Sequence, residues 1–438
     1  MNIILLSGGS GQRLWPLSND VRSKQFIKIF KTSDDQYESM LQRTLRQIHK
    51  IGEGVNITVA TAKHQEAILK KYIDNDIKIS AEPCRRNTFP SIALAVAYLH
   101  DVQKIELEET VVVCPVDPYV DDEFFVTFKQ LINQVSDEFP LVLMGINPTY
   151  PSEKYGYIIP KSNKEVSEVA SFKEKPDEQI AQKYIESGAL WNGGVFAFKL
   201  KYILNKAQEL LGCRTHSELL KNYDSLQSIS FDYAVAEHEN NIKVVRYIGE
   251  WRDVGTWNTL TDVMSSNYIG KKVQADKNCD NLHVINETDL PIICMGLKDV
   301  VVAASPEGIL VSDKIASAHI KPLVENIHQQ IRFAEKSWGS FKVIDIERDS
   351  LTAKITLNLG QRMNYHSHKY RREIWNIVEG SGRAVIDDVV REVKSGDIIE
   401  LPTGCKHAII ADTTMKIIEV QIGESIDVDD KEIFELKI

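Results

Sequence analysis

Over roughly the first 150 residues, short apolar runs alternate with stretches of helical periodicity, and this alternation constrains the fold more than any other feature of the chain. Asn2–Ser7, Ile57–Thr61, Lys78–Ala81, Thr110–Val116 and Leu141–Ile146 read as strands. Between them Leu41, Leu45 and Ile48 recur at i, i+4 and i+7, on one face of a helix, and further helical stretches are expected near 63–75, 88–103 and 123–136. Strands alternating with helices predict an α/β fold with a parallel, doubly wound sheet. Helices cover both faces of such a sheet, which accounts for uninterrupted apolar runs such as Val111-Val112-Val113-Cys114.

From about residue 266 the pattern changes. His283–Ile285, Ile292–Cys294, Val300–Ala303 and Ile309–Val311 read as short strands separated by Asn, Asp, Gly and Pro turn signals, a small β unit. A polar helical piece is expected near 319–336. The last block is dense in β-type residues, with turns at Gly360, Gly380-Ser381-Gly382, Gly396 and Pro402-Thr403-Gly404, which predicts a β-barrel or jelly roll. A chain of 438 residues has room for two or three domains, and the expected boundaries are 1–265, 266–335 and 336–438.

Lys plus Arg number 52 against 62 Asp plus Glu, a formal charge of −10. A general binder of nucleic acid or of an acidic membrane surface has the opposite balance, so neither is expected as a partner, and an anionic ligand needs a local cationic cluster. The apolar run Ile3–Leu6 is too short for a signal peptide, and no stretch approaches the ~18–20 residues that span a bilayer. The cysteines (84, 114, 213, 279, 294 and 405) show no CxxC spacing, which argues against a disulfide framework or structural zinc and for a reducing, cytoplasmic compartment.

The first strand runs directly into Gly8-Gly9-Ser10-Gly11-Gln12-Arg13. Glycines there let backbone N–H groups approach an anion without Cβ obstruction, a phosphate cradle in outline. The loop fits neither the GxxxxGK[ST] template nor the dinucleotide fingerprint, whose third glycine is replaced by Leu14. Arg13 supplies a planar fork and Lys24 a mobile point charge, a pair suited to a multiply charged group.

The string LSGGSGQRLWPLSNDVRSKQF resembles the signature of sugar-1-phosphate nucleotidylyltransferases, in the mannose-1-phosphate guanylyltransferase branch. The resemblance continues through Glu82-Pro-Cys-Arg-Arg-Asn-Thr-Phe-Pro90, Tyr155-Gly-Tyr-Ile158, Phe172-Lys-Glu-Lys-Pro176, Trp191-Asn-Gly-Gly-Val-Phe196, Ser230-Phe-Asp-Tyr-Ala234 and Asp253-Val-Gly-Thr-Trp257. It departs at Ser23, where the family has proline, and at Pro118, where it often has histidine. The resemblance implies Arg13 and Lys24 as catalytic residues. It also implies a nucleotide site at Gly8, Gly9, Ser10, Gly11, Arg86, Asn87 and Thr88, with the last three on the guanine side. A sugar pocket is implied at Gly156, Glu174, Lys175 and Asn192, with Lys175 toward the sugar phosphate, and Asp117 and Asp253 are implied as Mg²⁺ carboxylates. A sugar-1-phosphate is already an anionic nucleophile near neutral pH, so attack on the α-phosphorus of a nucleoside triphosphate needs positioning and charge neutralisation rather than a general base. Mg²⁺ takes few carboxylates together with waters and phosphate oxygens, which suits two aspartates. Spacing alone does not bring Asp117 and Asp253 together.

In the last block Gly360 is followed by His366-Ser-His368, Glu373 and Gly380, and Gly396 by Pro402-Thr-Gly404 and His407. In an extended strand residues i and i+2 point the same way, so His366 and His368 present two imidazoles to one point, and Glu373 and His407 complete an N₃O set suited to Zn²⁺, Fe²⁺, Mn²⁺ or Ni²⁺. These strings resemble the cupin motifs, with Ala411 where an asparagine normally stands. Ser337-Trp-Gly-Ser340 through Glu419-Val-Gln-Ile-Gly423 resembles the type II mannose-6-phosphate isomerase domain. That family usually has glutamine at His366 and histidine at Ile374. Lys369, Arg371 and Arg372 are either a sugar-phosphate contact or a solvated basic cluster. The expectation is therefore a nucleotidyltransferase domain, a small β unit and a C-terminal cupin. It takes GTP and mannose-1-phosphate to GDP-mannose and pyrophosphate, with isomerase activity in the barrel or none, and assembles as a homo-oligomer. The alternatives are another sugar-1-phosphate, such as fucose or a heptose, with a non-catalytic cupin, and a non-catalytic sugar-nucleotide sensor.

Overall fold

Alternate residues of a strand point to opposite faces, and the first strand uses this fully: Ile4 faces one hydrophobic cluster while Ile3 and Leu5 face a second. Val111 and Val113 join the first cluster, Val112 and Cys114 the second. The structure in which this is seen is a computed structural model and describes residues 1–9, 11–19, 21–327, 330–427 and 430–436. Met1–Leu14 with Ser23–Ser266 form one compact unit, and Trp15–Arg22 with Asn267–Ile438 form another.

The first unit is built on a nine-stranded sheet. Its strands are β1 (Asn2–Leu6), β2 (Asn56–Ala62), β3 (Lys78–Glu82), β4 (Thr110–Pro115), β5 (Leu141–Ile146), β6 (Tyr157–Pro160), β7 (Val166–Lys173), β8 (Leu190–Lys199) and β9 (Ile242–Tyr247), in the spatial order β3-β2-β1-β4-β8-β5-β9-β7-β6. β3, β2, β1 and β4 are mutually parallel, as the βα alternation predicts. β8 differs: it enters antiparallel between β4 and β5, so the sheet is mixed rather than wholly parallel. Helix α1 (Met40–His49) lays Leu41, Leu45 and Ile48 on one face of the sheet, and α2 (Thr88–Asp101) lays Phe89, Ile92 and Val96 on the other. A capping box between Ser39 and Gln42 starts α1, worth about 1 kcal/mol. The helix expected over 63–75 stops at Leu69, where its buried face ends.

In the second unit His283–Asn286, Val300–Ser305 and Gly308–Asp313 form strands of a small sheet with Tyr268–Gly270. The helical piece expected over 319–336 is confined to a 3-10 turn at Ala316–His319 and a single turn at Lys321–Val324. Phe333–Lys336 is instead a strand that pairs with Gly339–Ile346 across the Ser337-Trp338 turn. The remainder is a jelly roll of a six-stranded and a five-stranded sheet, with Trp375, Ile377, Ile409 and Ile417 among the residues filling its core. Among the described residues no helix is long and apolar enough to cross a membrane.

Candidate functional site

β1 and β4 run parallel and end side by side, and open α/β sheets bind ligands beyond such carboxyl ends. Past β1 the chain turns through Gly9 at φ 111° and Gly11 at φ 63°, conformations that disfavour a side chain. A Cβ at Gly8 or Gly9 would project into open space, leaving room for an anion against the backbone. Ser10, expected in this loop, lies outside the described residues. The Gln25 amide donates to Ser7 O at 3.0 Å, and Phe26 is fully buried, which fixes the short Lys24–Phe26 turn beneath the loop. Ser23 stands at φ −76°, inside the range a proline ring would impose, so the departure from the family residue leaves this backbone unchanged.

That turn aims the Lys24 ammonium at Asp117, with Nζ to Oδ2 at 2.6 Å. Asp253 arrives from far along the chain through a two-stranded pairing, Trp251–Asp253 on Pro118–Val120, in which Asp253 faces Pro118. Its Oδ1 accepts from Gly255 N at 2.9 Å, and its Oδ2 accepts from the Tyr155 hydroxyl at 3.4 Å. Burial alone would lower the Lys24 ammonium, but attraction to Asp117 and Asp253 holds its pKa above the ordinary value. Burial likewise pushes Asp117 up, and Lys24 more than reverses it. Arg13, exposed on the turn Gln12–Leu14, is close enough for its charge to act on Lys24. Arg13, Lys24, Asp117 and Asp253 are thus gathered at one edge, and the two carboxylates are donors of the kind a hard divalent cation takes alongside phosphate oxygens.

Arg86, Asn87 and Thr88 are tied into the scaffold. Arg86 donates from Nε to Tyr223 O at 3.3 Å and from Nη2 to Asp224 O. Asn87, at φ 68°, caps α2 through its side chain, and Thr88 Oγ1 accepts from Phe231 N at 2.8 Å. Arg86 and Thr88 thereby hold Tyr223, Asp224 and Phe231 against the start of α2.

The remaining motif residues of this unit converge. Asn192 N donates to Gly156 O at 2.8 Å, joining β8 to the chain just before β6. Glu174, with its side chain 4% exposed, places Oε1 at 2.5 Å from Lys175 Nζ. Its Oε2 is buried without a hydrogen-bond partner among the described residues and lies where a Cβ on Gly156 would overlap it. An unmet buried acceptor costs about 1–3 kcal/mol, and a donor on a ligand recovers it. Asp232 also reaches this pocket, its Oδ1 accepting from Asn192 Nδ2 at 2.6 Å. Burial and the neighbouring Glu174 charge push its carboxyl up to about 6. Asp232 lies in the Ser230-Phe-Asp-Tyr-Ala234 block, where an aspartate beside an aromatic carries no spacing signal of its own. Tyr155 and Trp191, packed at a 58° tilt with ring centroids 4.8 Å apart, are a second feature of this region that residue type did not single out.

The barrel of the other unit holds a different constellation. His366 and His407 are directly paired across two antiparallel strands of the five-stranded sheet. Glu373 comes from the six-stranded sheet, in the strand Arg371–Glu379. His366, His368 and His407 are all buried, with ring nitrogens within 4.8 Å of one another, and among the described residues they form the one three-ligand cluster found. Their Nδ1 atoms face backbone carbonyls: Asn364 O at 2.6 Å, Asp430 O, and Cys405 O at 3.0 Å, respectively. A carbonyl only accepts, so each Nδ1 carries the proton and each Nε2 keeps its lone pair. Glu373 lies 3.0 Å from His368 Nε2 and 3.3 Å from His407 Nε2, and Arg371 Nη2 donates to His368 Nε2 at 3.3 Å. Burial drives His366 down to about 2. Preset Nε2 lone pairs with backbone-anchored second nitrogens fit a divalent transition metal.

This cluster opens on a cavity of about 230 Å³ also lined by Lys336, Arg371, Glu419, Gln421 and Lys431. Of the basic cluster expected at 369–372, Arg371 alone lines the cavity, and Lys369 and Arg372 are exposed. Burial and the nearby Glu373 push the Glu419 carboxyl up to about 8, and it accepts from Trp375 Nε1 at 3.0 Å and Gln421 Nε2 at 2.6 Å.

Compared with known proteins, residues 2–268 match the family described as nucleotidyl transferase, and residues 324–436 match the mannose-6-phosphate isomerase C-terminal family. A mannose-1-phosphate guanylyltransferase of Salmonella montevideo is 29% identical over 467 residues, covering 98% of this chain and 97% of that protein. The xanthan biosynthesis protein XanB of Xanthomonas campestris pv. campestris (strain B100) is 30% identical over 460 residues, 98% of this chain and 96% of its own. Among solved structures, one from Thermus thermophilus described as a mannose-1-phosphate geranyltransferase aligns with a TM-score of 0.63 at 27% identity, over 74% of this chain and 98% of that one.

Proposed function

This chain belongs to the nucleotidyl transferase family, and from that premise we propose that it transfers GMP from GTP to mannose-1-phosphate, releasing pyrophosphate and forming GDP-mannose. The observation that carries the reading is the gathering of Lys24, Asp117, Asp253 and Arg13 at the carboxyl ends of β1 and β4, in the same unit as the Gly156–Glu174–Asn192 pocket. A phosphate oxygen of the sugar-1-phosphate attacks the α-phosphorus, the bond to the pyrophosphate oxygen breaks, and no proton need move. Arg13 and Lys24 meet the triphosphate above the Gly8–Gly11 loop, and Lys24 exchanges its contact with Asp117 for phosphate oxygen. A bound Mg²⁺ supplies charge neutralisation at the phosphates, and Asp117 and Asp253 are the residues that would hold it. Arg86, Asn87 and Thr88 frame the guanine side, and Lys175 leaves Glu174 for the sugar phosphate.

For the barrel, the Nε2 cluster with Glu373 beside a cavity that also carries Lys336, Arg371, Glu419 and Lys431 favours a second activity, interconversion of mannose-6-phosphate and fructose-6-phosphate. A metal such as Zn²⁺, held by His366, His368, His407 and Glu373, would polarise the sugar oxygens. An aldose–ketose isomerisation moves a proton between adjacent carbons through an enediol, and Glu419 is the cavity carboxyl placed to carry it. All six cysteines are free, which supports a reducing, cytoplasmic setting, and assembly with like chains is part of the same reading.

Pyrophosphate release measured with Mg²⁺ across a grid of nucleoside triphosphates and sugar-1-phosphates tests the transfer. Turnover confined to GTP with mannose-1-phosphate is the expected result. A preference for another pair replaces the named substrates, and silence throughout overturns the reading.

A further inference from the structure

Asn192 is a potential donor and a potential acceptor, and the structure removes the choice. Its Oδ1 accepts from Gly194 N at 3.1 Å while its Nδ2 donates to Asp232 Oδ1 at 2.6 Å. Turning the amide over would set its oxygen against a carboxylate oxygen and its NH₂ against a backbone N–H, losing both bonds. With the amide held in this orientation and one of its hydrogens given to Asp232, one N–H remains to donate to a ligand. Across the pocket Glu174 Oε1 is paired with Lys175 until that lysine moves to a phosphate, whereas Oε2 is an acceptor buried without a partner among the described residues. Gly156 keeps the space over that oxygen clear.

We propose that Asp232 is a positioning residue for the sugar: it locks Asn192 as a donor, so that the pocket takes a vicinal pair of sugar hydroxyls, one accepting from Asn192 Nδ2 and the other donating to Glu174 Oε2. This rests on the sugar-1-phosphate transfer proposed above. The pattern is directional. A sugar with a hydrogen in place of either hydroxyl leaves a buried polar group unmet, and a site built around hydrogen bonds discriminates strongly against such an analogue. Lys175, whose ammonium also lies 5.7 Å from the Tyr233 ring centroid, is the counter-cation of Glu174 and the group nearest to hand for the sugar phosphate.

The test uses the full chain with Asp232→Ala, Asp232→Asn and Asp232→Ser, and steady-state constants for GTP, mannose-1-phosphate and its singly deoxygenated analogues. Asp232→Ala is expected to raise the KM for mannose-1-phosphate about 10-fold while the KM for GTP stays within about 2-fold, the loss of one oriented hydrogen bond. The penalty is expected to disappear with the one deoxy analogue that lacks the hydroxyl facing Asn192. Asp232→Asn keeps an acceptor oxygen for Asn192 and is expected to restore the KM to within about 3-fold. Asp232→Ser is too short to reach the amide and is expected to behave as alanine does, which preserves the contrast if the alanine variant does not fold. An unchanged sugar KM, equal rises for both substrates, or a fall in kcat alone in an otherwise active enzyme overturns the inference and leaves the transfer reading standing. A wild-type chain that neither turns over nor binds any sugar-1-phosphate by calorimetry overturns both.

Discussion

In the nucleotidyl transferase unit the charged groups of the candidate site are paired with one another, Lys24 with Asp117 at 2.6 Å and Lys175 with Glu174 at 2.5 Å. In the barrel three buried imidazoles instead turn their Nδ1 atoms to backbone carbonyls and leave their Nε2 lone pairs facing a common point. On the proposed reading, the difference follows from what each site has to hold. Substrates that arrive and leave as polyanions are served by cations whose partners can be exchanged, since an unpaired charge waiting in a half-buried site costs more than a weak internal ion pair. A resident metal is served by donors that cannot move, because its affinity depends on geometry set in advance.

The comparison is broken most severely at Arg13. Arg13→Ala is expected to lower kcat for pyrophosphate release about 10²–10³-fold, the scale of losing one electrostatic stabiliser, with the metal content of the barrel by elemental analysis unchanged. A smaller effect is expected at Gly156: an added Cβ overlaps Glu174 Oε2 and crowds Phe172 Cζ at 2.9 Å, so Gly156→Ala should raise the sugar-1-phosphate KM about 10-fold in steady-state assays. The smallest concerns stability. The folded Asp232 carboxyl titrates at about 6, above its ordinary 3.8, so the folded state keeps a proton that the unfolded chain has already released. That residue is therefore neutral to folding below pH 3.8 and destabilising as the pH rises through 6. Asp232→Asn is expected to stabilise the fold by about 1 kcal/mol at pH 7, after allowance for partial exposure, and by nothing at pH 3.5, read from denaturant unfolding at the two pH values.

Much of this was legible from residue order. The five strands expected up to Ile146 stand where the apolar runs place them, because a strand covered on both faces reads as an uninterrupted apolar run, while the short strands Lys28–Lys31, Tyr37–Ser39 and Pro118–Val120 carry no such run. The HxH pair, Glu373 and His407 meet as strand geometry requires. What sequence did not carry was non-local. The antiparallel entry of β8 between β4 and β5 depends on a late strand finding an interior slot, which no local pattern announces. Asp117 and Asp253 meet through a register between two three-residue strands more than a hundred positions apart. Asp232 acquires its place from a hydrogen bond to Asn192, forty residues earlier. The polar stretch before the barrel reads as helix, yet Phe333–Lys336 is drawn into the six-stranded sheet by its hairpin partner.

The most direct test of the account is a crossed pair of substitutions in the full chain, Lys24→Ala and His366→Ala, each assayed for pyrophosphate release with GTP and mannose-1-phosphate, for isomerisation of fructose-6-phosphate, and for bound transition metal. Two chemically separate sites predict that Lys24→Ala loses pyrophosphate release and keeps both isomerisation and metal, while His366→Ala loses metal and isomerisation and keeps the transfer. Loss of both activities from either substitution in a folded chain, or transfer that depends on His366, would contradict it.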